Sequence, residues 1–147
     1  MCGRFARASS AETIAAIFGV EIGDLPPTYN IAPSQSVAAV WQLPDTDPQL
    51  HWLRWGLIPS WAKDPKIGYK LINARAETVA EKPSFRSAFR QRRCLIPANG
   101  FYEWQQLEGS RQKQPYFIGL QDERPFAFAG LYEQWESPGG DILETCT

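Results

Sequence analysis

The second half of the chain is a succession of short apolar runs cut by turn residues, with no helix-length periodic segment between them. Runs at Cys94–Ala98, Phe101–Gln106, Tyr116–Leu120 and Phe126–Tyr132, and another beginning at Ile142, have the length and alternation of strands. Asn99-Gly100 and Pro138-Gly139-Gly140 supply turn signals between some of them. Upstream, Val37–Leu43 and Leu50–Leu57 flank Pro44-Asp45-Thr46-Asp47-Pro48 and read as a hairpin. A chain patterned in this way must bury its apolar residues on sheet faces, which leaves helices a minor role.

Two short helices are expected. Ser9-Ser10-Ala11-Glu12 has capping-box spacing, and Ile14, Ile17 and Phe18 follow at helical intervals before Gly19. The second runs from Ser84 to about Arg92, with Phe85, Ala88 and Phe89 on one face and Arg86, Arg90 and Arg93 toward the other. Pro26-Pro27 and Asn30-Ile31-Ala32-Pro33 predict an extended, turn-rich connection, because proline fixes its own backbone and pushes the preceding residue out of helix. Ile58–Lys70 reads as a long irregular loop carrying Trp61 among lysines. The expected fold is α+β, mainly an antiparallel sheet curled into a barrel, in a single domain over residues 1–147.

No run approaches the roughly 18 consecutive apolar residues of a membrane span. The apolar stretch Thr13–Val20 sits behind Glu12 and before Glu21 and Asp24, a poor export signal. Cys2, Cys94 and Cys146 are an odd, scattered set without framework spacing, and with the single His51 they form no paired metal-ligand element. The expectation is an intracellular protein, cytoplasmic or nucleoid-associated in a bacterium, with no cofactor and no metal. The formal net charge of -1 conceals a division: residues 1–53 carry -3, residues 54–93 carry +7 and residues 94–147 carry -5. A basic middle segment in an otherwise acidic chain suits an anionic partner met by one face, and equally suits a solvated helix face paired with acidic neighbours.

Cys2 offers unusual chemistry. Removal of Met1, expected before a small side chain, leaves an α-amine and a thiol on adjacent carbons, with pKa values of about 7.7–8.0 and about 8.5. The amine can form an imine with an aldehyde and the thiol can close on the imine carbon, giving a thiazolidine. Alternatively the amine can act as base for its own thiol in amide hydrolysis.

Met1-Cys2-Gly3-Arg4-Phe5 is followed by Tyr29-Asn30-Ile31-Ala32-Pro33, Trp55-Gly56-Leu57-Ile58-Pro59-Ser60-Trp61, Ile72-Asn73-Ala74-Arg75-Ala76-Glu77-Thr78 and Gly100-Phe101-Tyr102-Glu103-Trp104. Five motifs in this order resemble the SOS-response-associated peptidase (SRAP) family. The resemblance implies a DNA-binding channel with the mature N-terminal cysteine at its floor. There the aldehyde of a ring-opened abasic site in single-stranded DNA becomes a thiazolidine DNA-protein crosslink, and an autoproteolytic activity is directed at the chain's own N-terminus. Carried over, the resemblance gives Asn73 the positioning of the Cys2 amine and Glu103 the movement of protons. Arg4 and Arg75 would hold the phosphates beside the lesion, Trp61 would stack or wedge against a base, and Lys82 and Arg86 would touch the backbone. It also implies abasic single-stranded DNA as partner, with replication-fork proteins as further candidates.

From the residues alone each of these has a plainer reading: Asn73 as a turn residue, Glu103 as an outward-facing strand residue, the arginines in ordinary ion pairs and Trp61 in a core. Family members continue to a histidine that this sequence does not reach, and the final alternating run reads as an unfinished strand with unpaired ladder groups, so a truncated C-terminus is expected. His51 in the early hairpin matches no family catalytic position. Two other functions share parts of the pattern. An N-terminal-cysteine glutamine amidotransferase also begins Met-Cys-Gly, but Arg4-Phe5 and the later motifs are foreign to it. A noncatalytic single-strand-binding module would use the basic segment and tryptophans alone.

Overall fold

The computed structural model describes residues 2–147. Among these the elements run β1 (Phe5–Arg7), α1 (Ala11–Phe18), β2 (Thr28–Ile31), β3 (Ser36–Trp41), β4 (Gln49–Trp55), a 3-10 helix (Pro65–Lys70), α2 (Arg86–Gln91), β5 (Arg93–Ala98), β6 (Gly100–Gln106), β7 (Lys113–Gly119), β8 (Phe126–Glu136) and β9 (Ile142–Cys146). The fold is α+β and mostly antiparallel, as expected, but the strands divide between two sheets. One is a closed barrel in the order β3-β4-β9-β8-β5; the other has four strands in the order β2-β1-β6-β7.

The barrel follows from period-two burial. Val37 and Ala39 of β3, Leu53 and Trp55 of β4, Cys94, Ile96 and Ala98 of β5, Tyr132 of β8 and Cys146 of β9 belong to one buried cluster. Each strand sends alternate side chains inward, and closure leaves no free edge. At Gly130 a β-carbon would stand 2.9 Å from the Cys94 sulfur, so the approach of β5 to β8 there leaves no room for one. β9 pairs parallel with β4 and antiparallel with β8. Its ladder groups are therefore not unpaired as expected: Thr147 exchanges two 2.9 Å backbone bonds with Leu131.

The hairpin is β3 and β4, in register from Ser36↔Arg54 to Trp41↔Gln49. α1 starts one residue later than its capping signal, with Ser10 accepting from the Thr13 amide, and it ends at left-handed Gly19 (φ 64°). α2 stops at Gln91, so Arg93 belongs to β5 and not to the helix face expected for it. β2 falls where an extended connection was expected, and β1 where no element was expected. β2 has no alternation to betray it, since only Ile31 of its four residues is buried. Buried Arg7 holds the proline-rich stretch against β1 by donating to the Pro26 carbonyl at 2.7 Å. Asn99 alone separates β5 from β6, and its side-chain oxygen accepts from the Ala8 and Ser9 amides at 2.7 and 3.0 Å. That clamp fixes the exit of β1 against the crossing between barrel and sheet.

Candidate active site

The long segment after β4 is folded back on its own origin. A β-carbon on Gly56 (φ 126°) would lie 2.7 Å from the Gly68 carbonyl oxygen, and the reverse contact is equally short. Two glycines therefore let the backbones touch. The Leu57 amide donates to Leu71 O at 3.1 Å, and the Trp55 indole donates to Ile72 O at 2.7 Å. The expected irregular loop thus contains a 3-10 turn, capped by Asp64 and opened by Pro65, and it delivers residue 73 to a fixed place. There the Asn73 amide donates to the Cys2 carbonyl at 2.6 Å. The resemblance gave Asn73 the amine of Cys2; the bond observed is to its carbonyl oxygen instead. Met1, whose removal was expected, lies outside the described residues.

Cys2 is half-buried and packs on the barrel cluster that includes Phe5, Trp55 and Cys94. Its Sγ sits 3.4 Å from the Arg4 carbonyl. Burial raises the thiol pKa above its ordinary value and the Glu103 carboxylate adds to the rise, against an opposing backbone hydrogen bond at Arg4. Glu103 is half-buried. It stands on the β6 face that carries Phe101, which packs on the barrel core, and so does not face outward as its plainer reading had it. Asn73 thus meets Cys2 from 71 residues away in sequence, and the Glu103 carboxylate acts on the Cys2 thiol from 101 residues away.

The Arg4 guanidinium donates to the Asn30 side chain at 2.9 Å, which links the first two motifs, and the Tyr102 hydroxyl donates to Tyr29 O at 2.9 Å. Arg75 is exposed in the turn two residues beyond Asn73. Trp61 is 58% exposed and so is no core residue; the Trp135 indole steadies its loop by donating to Ala62 O at 2.7 Å. Lys82 is exposed and its carbonyl accepts from the Phe85 and Arg86 amides at the start of α2. Arg86 and Arg90, one turn apart, line a hollow of about 280 Å³ with Ser87 and Gln91. His51 lies on β4, stacked on Trp41 with ring centroids 3.4 Å apart.

Beside Cys2 opens a cavity of about 470 Å³. Cys2 and Asn73 line it, while Arg4, Trp61, Arg75, Lys82, Arg86 and Glu103 do not. Among the described residues its one charged lining residue is Arg93, whose guanidinium sits 6.0 Å from the ring centroid of Phe89, which also lines it. Sequence reasoning missed this pair as part of the site. The available signal was Phe89 on the apolar helix face, followed four residues later by a basic residue that begins a strand. Among the described residues no group of three or more His, Cys, Asp or Glu side chains is arranged to hold a metal ion, and no helix is long and apolar enough to cross a membrane.

The sequence profile of the family described as SOS response associated peptidase (SRAP) matches residues 1–147. The abasic site processing protein YoqW of Bacillus subtilis is 50% identical over 151 residues, an alignment that takes in all of this chain and 66% of that one. The mouse abasic site processing protein HMCES is 39% identical over 119 residues, covering 62% of this chain and 34% of its own. A crystal structure of a Bacteroides thetaiotaomicron protein superposes with a TM-score of 0.85 at 28% identity, over 99% of this chain and 66% of that one. The chain therefore spans about two thirds of the length of its Bacillus relative and of that solved neighbour. With its five motifs carried on this two-sheet fold, the chain belongs to the SOS response associated peptidase (SRAP) family.

Proposed function

We propose that this protein processes abasic sites, capturing the ring-opened aldehyde in single-stranded DNA as a thiazolidine on Cys2 once Met1 is gone. The observation that carries the reading is the meeting at Cys2 of an Asn73 hydrogen bond, 2.6 Å long, and the field of the Glu103 carboxylate, beside an open cavity. The names of the Bacillus and mouse relatives support the same target.

The order of steps follows from the electrostatics. A thiol held protonated by burial is a poor first nucleophile, so the amine attacks the aldehyde carbon first. The resulting carbinolamine loses its oxygen as water to give an imine. In this reading Glu103, whose carboxylate acts on the Cys2 thiol, protonates the departing hydroxyl and then takes the thiol proton as sulfur adds to the imine carbon. The proton ends on the ring nitrogen, and no redox partner is needed. Asn73 fixes the carbonyl end of Cys2, which limits rotation of the amine and thiol relative to the incoming aldehyde. Phosphates on either side meet Arg4, Arg75, Lys82 and Arg86, while exposed Trp61 offers a face for a base. The basic segment also suits contact with other DNA-bound proteins at a replication fork, inside the cell.

A denaturing gel tests this. Abasic single strands are expected to give a heat-stable adduct with the wild-type chain, and intact strands none. Cys2→Ala should abolish the adduct while keeping most reversible, salt-sensitive binding. An adduct that persists in Cys2→Ala would remove Cys2 from the mechanism.

A further inference from the structure

We propose that mature Cys2 also captures free phosphorylated hydroxyaldehydes, small sugar phosphates in their open-chain form, with the Arg4 guanidinium, oriented by Asn30, taking the phosphate. This rests on the reading of mature Cys2 as a free aminothiol. A thiazolidine forms at the aldehyde carbon alone, so the capture step uses neither a base nor the second flanking phosphate of a DNA strand. What it asks of a substrate is an aldehyde and one anion within reach of a cation. Arg4 supplies that cation. It stands two residues from Cys2, at most about 7 Å along the backbone. Its side chain is long enough to meet a group only a few bonds from a carbon held by Cys2.

Arg4 is also a cation that the fold holds in place. Its Nη1 donates to Asn30 Oδ1 at 2.9 Å. Asn30 is fixed in turn, because it lies on β2 between the Phe5↔Ile31 and Arg7↔Thr28 pairings with β1. The Tyr102 hydroxyl ties down the same strand by donating to the carbonyl of neighbouring Tyr29 at 2.9 Å. A neutral amide as partner leaves the guanidinium its whole charge, and one bond leaves most of its planar fork of donors for an anion. An oriented fork also loses less freedom when a phosphate docks. Arg75, by contrast, is exposed, and ordering it costs side-chain entropy. Capture balances without an oxidant or reductant: the Cys2 amine bonds to the aldehyde carbon, the carbonyl oxygen leaves as water, sulfur bonds to the same carbon and the thiol proton passes to nitrogen. The phosphate keeps all its bonds, and the adduct has the mass of protein plus sugar phosphate less one water.

The experiment is intact-mass kinetics of the Met1-free chain with two matched pairs, glyceraldehyde against glyceraldehyde 3-phosphate and deoxyribose against deoxyribose 5-phosphate. The free peptide Cys-Gly-Arg-Phe, which carries the same arginine without Asn30, is run with each, so differences in open-chain content cancel. The protein-to-peptide rate ratio is expected to be about tenfold higher or more for the phosphorylated member of each pair, as for a charge-assisted contact. The two members should converge as salt rises. Asn30→Ala is expected to reduce this phosphate preference by about threefold or more through lost orientation of the guanidinium. Asn30→Asp, which sets a carboxylate against the guanidinium, should remove it. Since the preference is a ratio within one protein, a general loss of Cys2 reactivity does not imitate either effect. Equal ratios for phosphorylated and plain aldehydes, in protein that still crosslinks abasic single strands, overturn this inference alone, and so does a preference that survives Asn30→Asp. Failure of every aldehyde and of abasic DNA to add overturns the aminothiol reading beneath it.

Discussion

The barrel and the four-stranded sheet share one chain but differ in what their strands bury. In β3 four consecutive residues, Val37 to Val40, are buried, since one face fills the barrel and the other meets α1 through Ala38. In β7 all seven residues are exposed, Tyr116, Phe117 and Ile118 among them, and the strand lies at the open edge of its sheet. The barrel supplies most of the fold's apolar burial. The sheet supplies Glu103, and β1 leads from Cys2 into it, so the groups proposed to react lie on the less buried sheet, where it packs on the more buried barrel. On the proposed function, this arrangement separates residues whose loss is expected to unfold the protein from residues whose loss is expected only to disarm it.

Leu53 is fully buried in the barrel, and Leu53→Ala is expected to cost about 2–5 kcal/mol from lost transfer energy and a residual cavity. Urea unfolding measures it, and a loss below about 1 kcal/mol would contradict the barrel's role as the principal core. Asn73→Ala should act in the opposite sense. Crosslinking to abasic single strands is expected to slow by about 10²-fold through misplacement of Cys2, while stability falls by only about 0.5–1.5 kcal/mol for one hydrogen bond. Single-turnover crosslinking alongside thermal melts separates the two.

The hairpin was legible because Val37, Ala39, Leu53 and Trp55 alternate over full-length strands, and period two is a local signal. β1 was not, because Phe5-Ala6-Arg7 is three consecutive buried residues, one of them a charged side chain whose partner is a proline carbonyl 19 residues away. The parallel pairing of β4 with β9 joins segments some 90 residues apart and leaves no mark on either sequence. The same holds at the site. Cys2, Asn73 and Glu103 stand in motifs that name them, but that Asn73 reaches the Cys2 carbonyl depends on the Gly56–Gly68 contact and the Trp55 indole, which only the folded chain reveals. Arg93 was placed on a helix face because nothing local announces that α2 stops at Gln91.

Alkaline pH probes the barrel interior. Burial raises Cys94 from 9.0 to about 12 and also raises Cys146. The unfolded chain releases these protons first, so the stability they contribute is whole below about pH 9 and is lost as pH climbs toward 12, by up to about 1.4 kcal/mol per unit for each thiol. Melting temperatures across this range should fall in the wild type and fall less steeply in Cys94→Ala. The smallest effect belongs to the sheet edge. Ile118→Ala on β7 is expected to change stability by no more than about 0.5 kcal/mol, as at other exposed positions, and a larger loss in urea unfolding would mean the edge is covered in solution.

The central claim is that the amine and thiol of one N-terminal cysteine take up the aldehyde together. Intact mass spectrometry of the adduct formed with an abasic single-stranded oligonucleotide tests it most directly. The account predicts a single species whose mass is that of the chain without Met1 plus the oligonucleotide, less one water, with tandem fragmentation placing the DNA on Cys2. An adduct that retains Met1, or that maps to Cys94, to Cys146 or to a lysine of the basic segment, would contradict it.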